Sequence, residues 1–264
     1  MRSDEASLTA RGVALVRSRL ERAPWASGDP DADDRLTATL TAGFTPDPDA
    51  RAQRRDEFFV FMKARTRFFD ARVIGAIEDD VHQIVILGAG YDGRALRYRT
   101  PGVRFFEVDH PATQADKRRR LAEVGASLDG ITFVTADFTE PGLPDALAAA
   151  GHDARQRSMF ICEGVLRYLP EDAFRGLLRT AAERAAPASE LAASISTRDN
   201  APSEREQERE AALAASGEPV LTVPPAAVAL EWVSAAGWTV ESVDDANATE
   251  SQTRRGRLLV RARR

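Results

Sequence analysis

The sequence predicts an α/β protein on a doubly wound parallel sheet, with a helical cap before it and a closing antiparallel pair of strands after it. Three observations predict this. Short apolar runs alternate with amphipathic stretches between residues 84 and 195, the rhythm of strand and crossover helix. The first run, Ile84-Val85-Ile86-Leu87, passes directly into Gly88-Ala89-Gly90, as a buried strand entering a tight turn does. Acids follow the runs at Asp92, Asp109, Asp137 and Glu163. Right-handed crossovers bring such strand ends to one edge of the sheet, where ligands bind.

The elements follow in order. Leu8, Val13, Leu15, Val16 and Leu20 give residues 7–23 one apolar helical face, and Pro24 with Gly28-Asp29-Pro30 stops it. Residues 24–50 are expected to be surface loop around a short helix near 35–41. A long helix is expected over 52–78, with Phe58, Met62, Phe69, Val73 and Ile77 on one face. Arg65 sits inside that stripe. Its charge cannot be shed, so it must meet a buried acid or a ligand carboxylate. Residues 1–80 form the expected helical cap, and 81–264 the sheet domain. Strands are expected at 84–87, 103–109, 131–136, 158–162 and 190–195, with helices from about Asp92, from Pro111 and from Pro170 to about Ala186. Residues 198–223 break the rhythm. Their centre carries Glu204, Arg205, Glu206, Glu208, Arg209 and Glu210, a solvated helix acting as lid or insertion. Pro224-Pro225 opens a last helix to 235, and 238–243 with 258–261 form the closing pair.

Composition narrows the function. The chain has 264 residues, 43% hydrophobic and 29% charged, with a net charge of −5, which disfavours a nucleic-acid partner. No apolar run approaches ~20 residues, so no membrane span is expected. Met1-Arg2-Ser3-Asp4-Glu5 lacks the apolar core of a signal peptide. The single Cys162 excludes an internal disulfide, fits a reducing cytoplasm, and reads as a small core hydrophobe. His82, His110 and His152 show no metal-ligand spacing.

The glycine turn must then be matched to a cofactor. Gly88, Gly90 and Gly93 spell G-x-G-x-x-G, which by itself admits a dinucleotide. Asp92 inside that turn would repel a pyrophosphate by several kcal/mol at an effective dielectric of ~20. S-adenosylmethionine has no phosphate; it carries a sulfonium, an ammonium, a carboxylate, a ribose diol and an adenine. In this reading Asp109 accepts from both ribose hydroxyls, and Asp137 accepts from the adenine amino group. Arg65 pairs with the methionine carboxylate. Glu163 and a glycine-turn carbonyl face the ammonium.

The motifs Leu8-Thr9-Ala10-Arg11, Ala64-Arg65-Thr66-Arg67-Phe68-Phe69-Asp70, Leu87-Gly88-Ala89-Gly90-Tyr91-Asp92-Gly93-Arg94, Glu107-Val108-Asp109-His110-Pro111 with Lys117, Asp137-Phe138, and Glu163-Gly164-Val165-Leu166-Arg167-Tyr168-Leu169-Pro170 stand in one order. In this order the sequence resembles the leucine carboxyl methyltransferase family, in particular its bacterial branch, over roughly residues 8 to 180. The resemblance implies a Rossmann-like class I methyltransferase sheet. It implies S-adenosylmethionine contacts at Arg65, Gly88, Asp109, Asp137, Phe138 and Glu163, with Ala89, Gly90 and His110 in the same turns. Gly93 departs from the threonine usual in that branch, and residues 198–223 show no match.

A carboxylate acceptor is ionised at neutral pH and needs no base, whereas a phenol usually does. The shortage of bases favours carboxyl O-methylation, and the resemblance agrees; with nothing in the sequence suggesting a dedicated protein-docking surface, a small-molecule acid is expected rather than a protein C-terminus. Arg167, Tyr168 and His110 are the positioning candidates, His110 also a base candidate, and Arg198 a further cation. Arg94 is expected to make a structural ion pair behind the turn. The alternatives are methylation of a phenol or hydroxyl, an NAD-dependent oxidoreductase, and a cofactor-binding scaffold without turnover.

Overall fold

The computed structural model describes residues 7–41, 52–245 and 256–264, and of Thr41, 52–58 and Asp245 the backbone only. Expectations for residues 1–6 and 42–50, and for the Phe58 side chain, lie outside the described residues. Three helices come first: α1 (Leu8–Arg17), α2 (Pro30–Thr41) and α3 (Ala52–Glu78). There follow β1 (Gln83–Leu87), α4 (Arg94–Arg97), β2 (Arg104–Asp109), α5 (Pro111–Glu123), β3 (Ile131–Thr135), α6 (Leu143–Ala149), β4 (Ser158–Cys162), α7 (Glu171–Glu183) and β5 (Glu190–Ser196). Helices α8 (Glu204–Ala215) and α9 (Ala226–Ala235) lead to β6 (Thr239–Asp245) and β7 (Arg257–Arg263).

The strands form one sheet in the order β3-β2-β1-β4-β5-β7-β6. β1 to β5 run parallel, and β7 is antiparallel to both neighbours, β5 and β6. The expected closing pair is present, with its second strand inserted between the first and β5. Alternation along the strands feeds two cores. Val85, Leu87, Phe106, Val108, Phe160 and Cys162 face one way, against α7 and α9. Ile84, Ile86, Phe105, Met159 and Ile161 face the other, against Met62, Phe69, Val73 and Ile77 of α3. A parallel sheet covered on both faces accounts for the unbroken apolar runs, and Cys162 is the small core hydrophobe expected.

Two expectations are corrected. The helix expected from Asp92 is a four-residue turn, α4, because the fully buried Arg94 side chain is drawn inward and Thr100-Pro101-Gly102 follows at once. The segment expected to be surface loop contains α2, longer than the helix near 35–41. Asp29 starts it by accepting from Ala32 N at 2.9 Å. Ala32 and Leu36, one turn apart, are fully buried against Leu96 and Leu121.

His152 shows how one polar group is satisfied beneath the sheet. Its Nε2 lies 3.0 Å from Ser158 Oγ, and its Nδ1 lies 3.1 Å from an Arg184 nitrogen. Burial first, then the Arg184 charge, pushes the imidazole down from 6.5 to about 4. Unfolded, it binds a proton below about 6.5; folded, only below about 4. Its contribution is therefore complete above pH 6.5 and lost as pH falls to about 4, by at most roughly 3 kcal/mol. Glu107 acts in the opposite sense: burial raises it to about 7 despite Lys117 Nζ at 2.5 Å. Urea unfolding at pH 7 and 4.5 isolates the histidine, because His152→Gln is expected to lose less stability than the parent between these values.

Candidate functional site

Strand register builds the site. Leu87 pairs with Val108 and with Cys162, and Asp109 pairs with Thr135. Gly88, Asp109 and Glu163 therefore leave the sheet side by side, at the point where the chain's order reverses between β1 and β4. The edge opens into a cavity of about 1240 Å³, more than the ~300–1,000 Å³ that usually holds one small ligand. Its wall includes Arg65, Gly88, Ala89, Gly90, Asp109 and His110, and also Asp137, Phe138, Glu163, Arg167 and Tyr168. Every candidate site residue is thus brought to one cavity. Arg198 is not part of its wall; it pairs with Glu210 at 3.0 Å.

The glycines have local reasons. Gly88 has φ +73° and Gly90 φ +49°, a backbone region costly to side chains. A Cβ on Gly88 would lie 2.8 Å from Val165 Cβ, and one on Gly90 2.9 Å from Ala10 Cβ. The loop after β4 and helix α1 both rest on this turn. Gly93 is different. A Cβ there would lie 1.6 Å from Asp33 Oδ1, so the third glycine admits α2 and plays no part in a phosphate cradle.

The charges differ from the sequence expectation. Asp92 and Glu163 were expected to present free negative charge; both are neutralised by arginines. Arg94 Nη1 donates to Asp92 Oδ2 at 2.5 Å and to Glu163 Oε2 at 2.6 Å, while its Nε donates to Asp70 Oδ1 at 2.7 Å. Arg17 and Arg65 donate to Glu163 Oε1 at 3.0 and 2.8 Å. Arg22 holds Asp70 through two nitrogens, at 2.8 and 2.9 Å, and Asp33 through a third at 2.8 Å. Burial alone would raise the Glu163 carboxyl; Arg94, Arg17 and Arg65 together hold it far below the usual range. The Asp92 carboxyl is likewise lowered, Arg94 and Arg17 outweighing burial. Arg94 is the structural ion-pair residue expected, at the hub of the network. Arg65 finds its partner in Glu163 through Nε alone. Among the described residues no hydrogen bond engages its terminal nitrogens, and its guanidinium stacks over Phe61 at 5.3 Å.

Asp109 is the exception. It is half-buried, and among the described residues no basic side chain bonds it. Its carboxylate accepts from Gly90 N and, at 2.6 Å, from His110 N. Burial raises its carboxyl above the ordinary value despite these two N–H donors. Such an acid is an acceptor in want of donors. Asp137 is exposed at the cavity wall, and Thr139 donates to its Oδ1 through the amide at 2.9 Å and the hydroxyl at 2.7 Å. His110 caps α5, its Nδ1 accepting from Ala112 N at 3.4 Å. A neutral ring whose Nδ1 lone pair is directed at the helix presents Nε2–H, a donor rather than a base.

The acceptor side carries further cations. Arg167 lies in the single turn after β4, stacked over Tyr168 at 5.7 Å, and its backbone carbonyl accepts from Leu221 N at 2.9 Å. That bond ties the 198–223 stretch to the loop after β4. Glu218 of the same stretch accepts from Thr9 N at 3.0 Å and Thr9 Oγ1 at 2.5 Å. Helix α1 and the 198–223 stretch so meet above the cavity. Sequence reasoning missed Arg17, Arg209 and Glu218 of this wall. Among the described residues no cluster of His, Cys, Asp and Glu is arranged for a metal, and no described helix is long and apolar enough to cross a membrane.

Comparison with known proteins adds the following. A family model described as leucine carboxyl methyltransferase matches residues 15–182. A Streptomyces coelicolor protein, named as a candidate S-adenosyl-L-methionine-dependent methyltransferase, is 39% identical over 195 residues, 72% of this chain and 69% of its own. One from Frankia alni, named likewise, is 36% identical over 245 residues, 89% of this chain and 82% of its own. Among solved structures, a DUF574 family protein from Streptomyces avermitilis shares the fold with a TM-score of 0.62 at 18% identity, covering 99% of this chain and 98% of that one. An O-methyltransferase family protein from Burkholderia thailandensis does so with a TM-score of 0.54 at 16% identity, covering 82% and 60%.

Proposed function

The chain belongs to the leucine carboxyl methyltransferase family and is an S-adenosyl-L-methionine-dependent methyltransferase on a Rossmann-like class I sheet; from that premise we propose that it methylates a carboxylate of a small-molecule acid, giving a methyl ester. The observation that carries this reading is an arginine of the wall, Arg167, with no ion-pair partner among the described residues, beside a histidine, a thiol and a tyrosine that are not free to act as bases. His110 directs its lone pair at Ala112 N. Cys162 is enclosed in the core and its thiol is pushed far up by burial. The Tyr91 hydroxyl is bound to Asp116. Such a wall suits an acceptor that arrives already ionised.

The residues present fit the cofactor. Asp109 would accept from the ribose hydroxyls, which answers its want of donors. Asp137 and Phe138 would meet the adenine, and the backbone of Gly88, Ala89 and Gly90 would pass close beneath the methionine portion. Arg65 would turn its terminal nitrogens to the methionine carboxylate, anchored through Nε by Glu163. Held by three arginines, Glu163 serves the ammonium less well than the sequence implied, and orienting Arg65 is its larger part. S-adenosylmethionine supplies, when bound, a methyl group made electrophilic by the positive sulfur. The protein's task is to align an acceptor oxygen with that carbon and to exclude water. The cavity's size supports room for cofactor and acceptor together.

The product decides the reading. With methyl-labelled donor and the source organism's acidic metabolites, mild alkali is expected to release the label as methanol. Label held in an alkali-stable ether or amine would refute carboxyl methylation and favour the phenol or hydroxyl alternative.

A further inference from the structure

Arg167 stands across the glycine turn from Asp109 and Asp137. Asp137 and Asp109 leave β3 and β2, on one side of β1, while Arg167 follows β4 on the other. Arg167 Nε is enclosed and has no hydrogen-bond partner among the described residues. Arg209, on α8, lines the same cavity, and among the described residues neither guanidinium has an ion-pair partner. Both face one cavity, and the Arg167 pKa is lowered, by burial first and then by the Arg209 and Arg198 charges, with Tyr168 and Glu210 opposing. The acids of that neighbourhood are already engaged, Glu210 by Arg198 at 3.0 Å and Glu206, which also feels the Arg209 charge, by Ser203 N and Oγ at 2.9 and 2.6 Å. Two guanidinium groups at a cavity wall form an attractive place for an anion.

What surrounds them is apolar. Leu213 lies one turn beyond Arg209 on the same face of α8, and both line the cavity with Phe59, Val16 and Leu258. Phe59, a large ring, is 37% exposed. A small polar acid would leave this surface wet.

We propose that Arg167 and Arg209 form the head-group subsite for the methyl acceptor, and that the acceptor is a carboxylic acid with an apolar chain or ring lying along Leu213, Leu258 and Phe59. This rests on the carboxylate reading above and adds to it the residues that hold the head group and the chemistry of the body. A guanidinium holding one carboxylate oxygen leaves the other oxygen's lone pair free to attack the methyl carbon as the carbon–sulfur bond breaks and its electrons return to sulfur. Because Arg209 stands on α8, which buries none of its side chains, the subsite is complete only while that helix lies over the cavity.

The test uses the whole protein loaded with S-adenosylhomocysteine, titrated with decanoate and 4-phenylbutyrate, and with 1-decanol as the uncharged control. At least one acid is expected to bind, and 1-decanol at least tenfold more weakly. Arg167→Gln and Arg209→Ala are each expected to weaken the acid by tenfold or more and to leave S-adenosylhomocysteine affinity within twofold. Arg209 is exposed, so its variant reads the subsite free of folding effects. Equal binding of 1-decanol, or acid binding unmoved by both variants, overturns the subsite. Turnover with labelled donor separates the two levels of the proposal. Base-labile methylation of either acid, unchanged in both variants, removes the arginine subsite and leaves carboxyl methylation standing. Transfer only to a phenol removes both, and transfer only to a peptide ending in leucine removes the apolar small acid.

Discussion

Replacing Arg94 by methionine is expected to cost the fold ~3–5 kcal/mol, the usual effect of removing one side of a buried ion pair. Arg94 is fully buried and touches Asp70, Asp92 and Glu163 at 2.5 to 2.7 Å. Its three acids would not suffer equally. Asp70 keeps Arg22, and Glu163 keeps Arg17 and Arg65. Asp92 keeps only Arg17, at 3.6 Å. The double variant Arg94→Met, Asp92→Asn is therefore expected to recover part of the loss. The deficit should also depend on pH. In the parent the carboxyl groups of Asp70, Asp92 and Glu163 are lowered, so their contribution is present above pH ~4 and fades below it. The difference between parent and variant should then be largest at pH 7 and shrink in acid. Chemical unfolding at pH 7 and at pH 3.5 measures both; a variant as stable as the parent at pH 7 would show that the hub is not needed.

Asp109→Ala is the second large effect, now on binding. The ribose hydroxyls would lose their acceptor, weakening S-adenosylhomocysteine by ~1–3 kcal/mol, roughly 5- to 150-fold. The same carboxylate also holds Gly90 N and His110 N, so part of the loss would come from a loosened turn. The 2′-deoxy form of S-adenosylhomocysteine separates the two causes. It should bind the parent more weakly than the full ligand, and the two should bind Asp109→Ala alike. Because burial raises the Asp109 carboxyl, parent affinity should begin to fall at a higher pH than an ordinary aspartate would produce. Unchanged affinity in Asp109→Ala would remove this residue from the site.

The sheet was legible because its cause is local. Strand runs such as 84–87 and 158–162, and the acids that follow them, lie within a few residues of one another in sequence, and the register does the rest. Arg65 was legible as a charge in an apolar stripe, though not its partner, which lies 98 residues away. Asp33, Asp70 and Arg17 drew no role from the sequence because nothing near them in it says they are buried. The same limit explains Gly93, whose reason to be glycine is Asp33 on another helix. The acid-lined crevice was half right. Counting carboxylates at strand ends found the place, but only burial and partner geometry show which of them still carry charge to offer.

The bond from Thr9 to Glu218 has a kinetic meaning. Helix α1 rests on Gly90 beneath and is fastened to the 198–223 stretch above, so the floor and the roof of the cavity share one short helix. Lifting of the 198–223 stretch would have to part these bonds together with those from Leu221 and Thr222 to the loop after β4, so release of the spent donor would be timed by the roof rather than by how fast the methyl group moves.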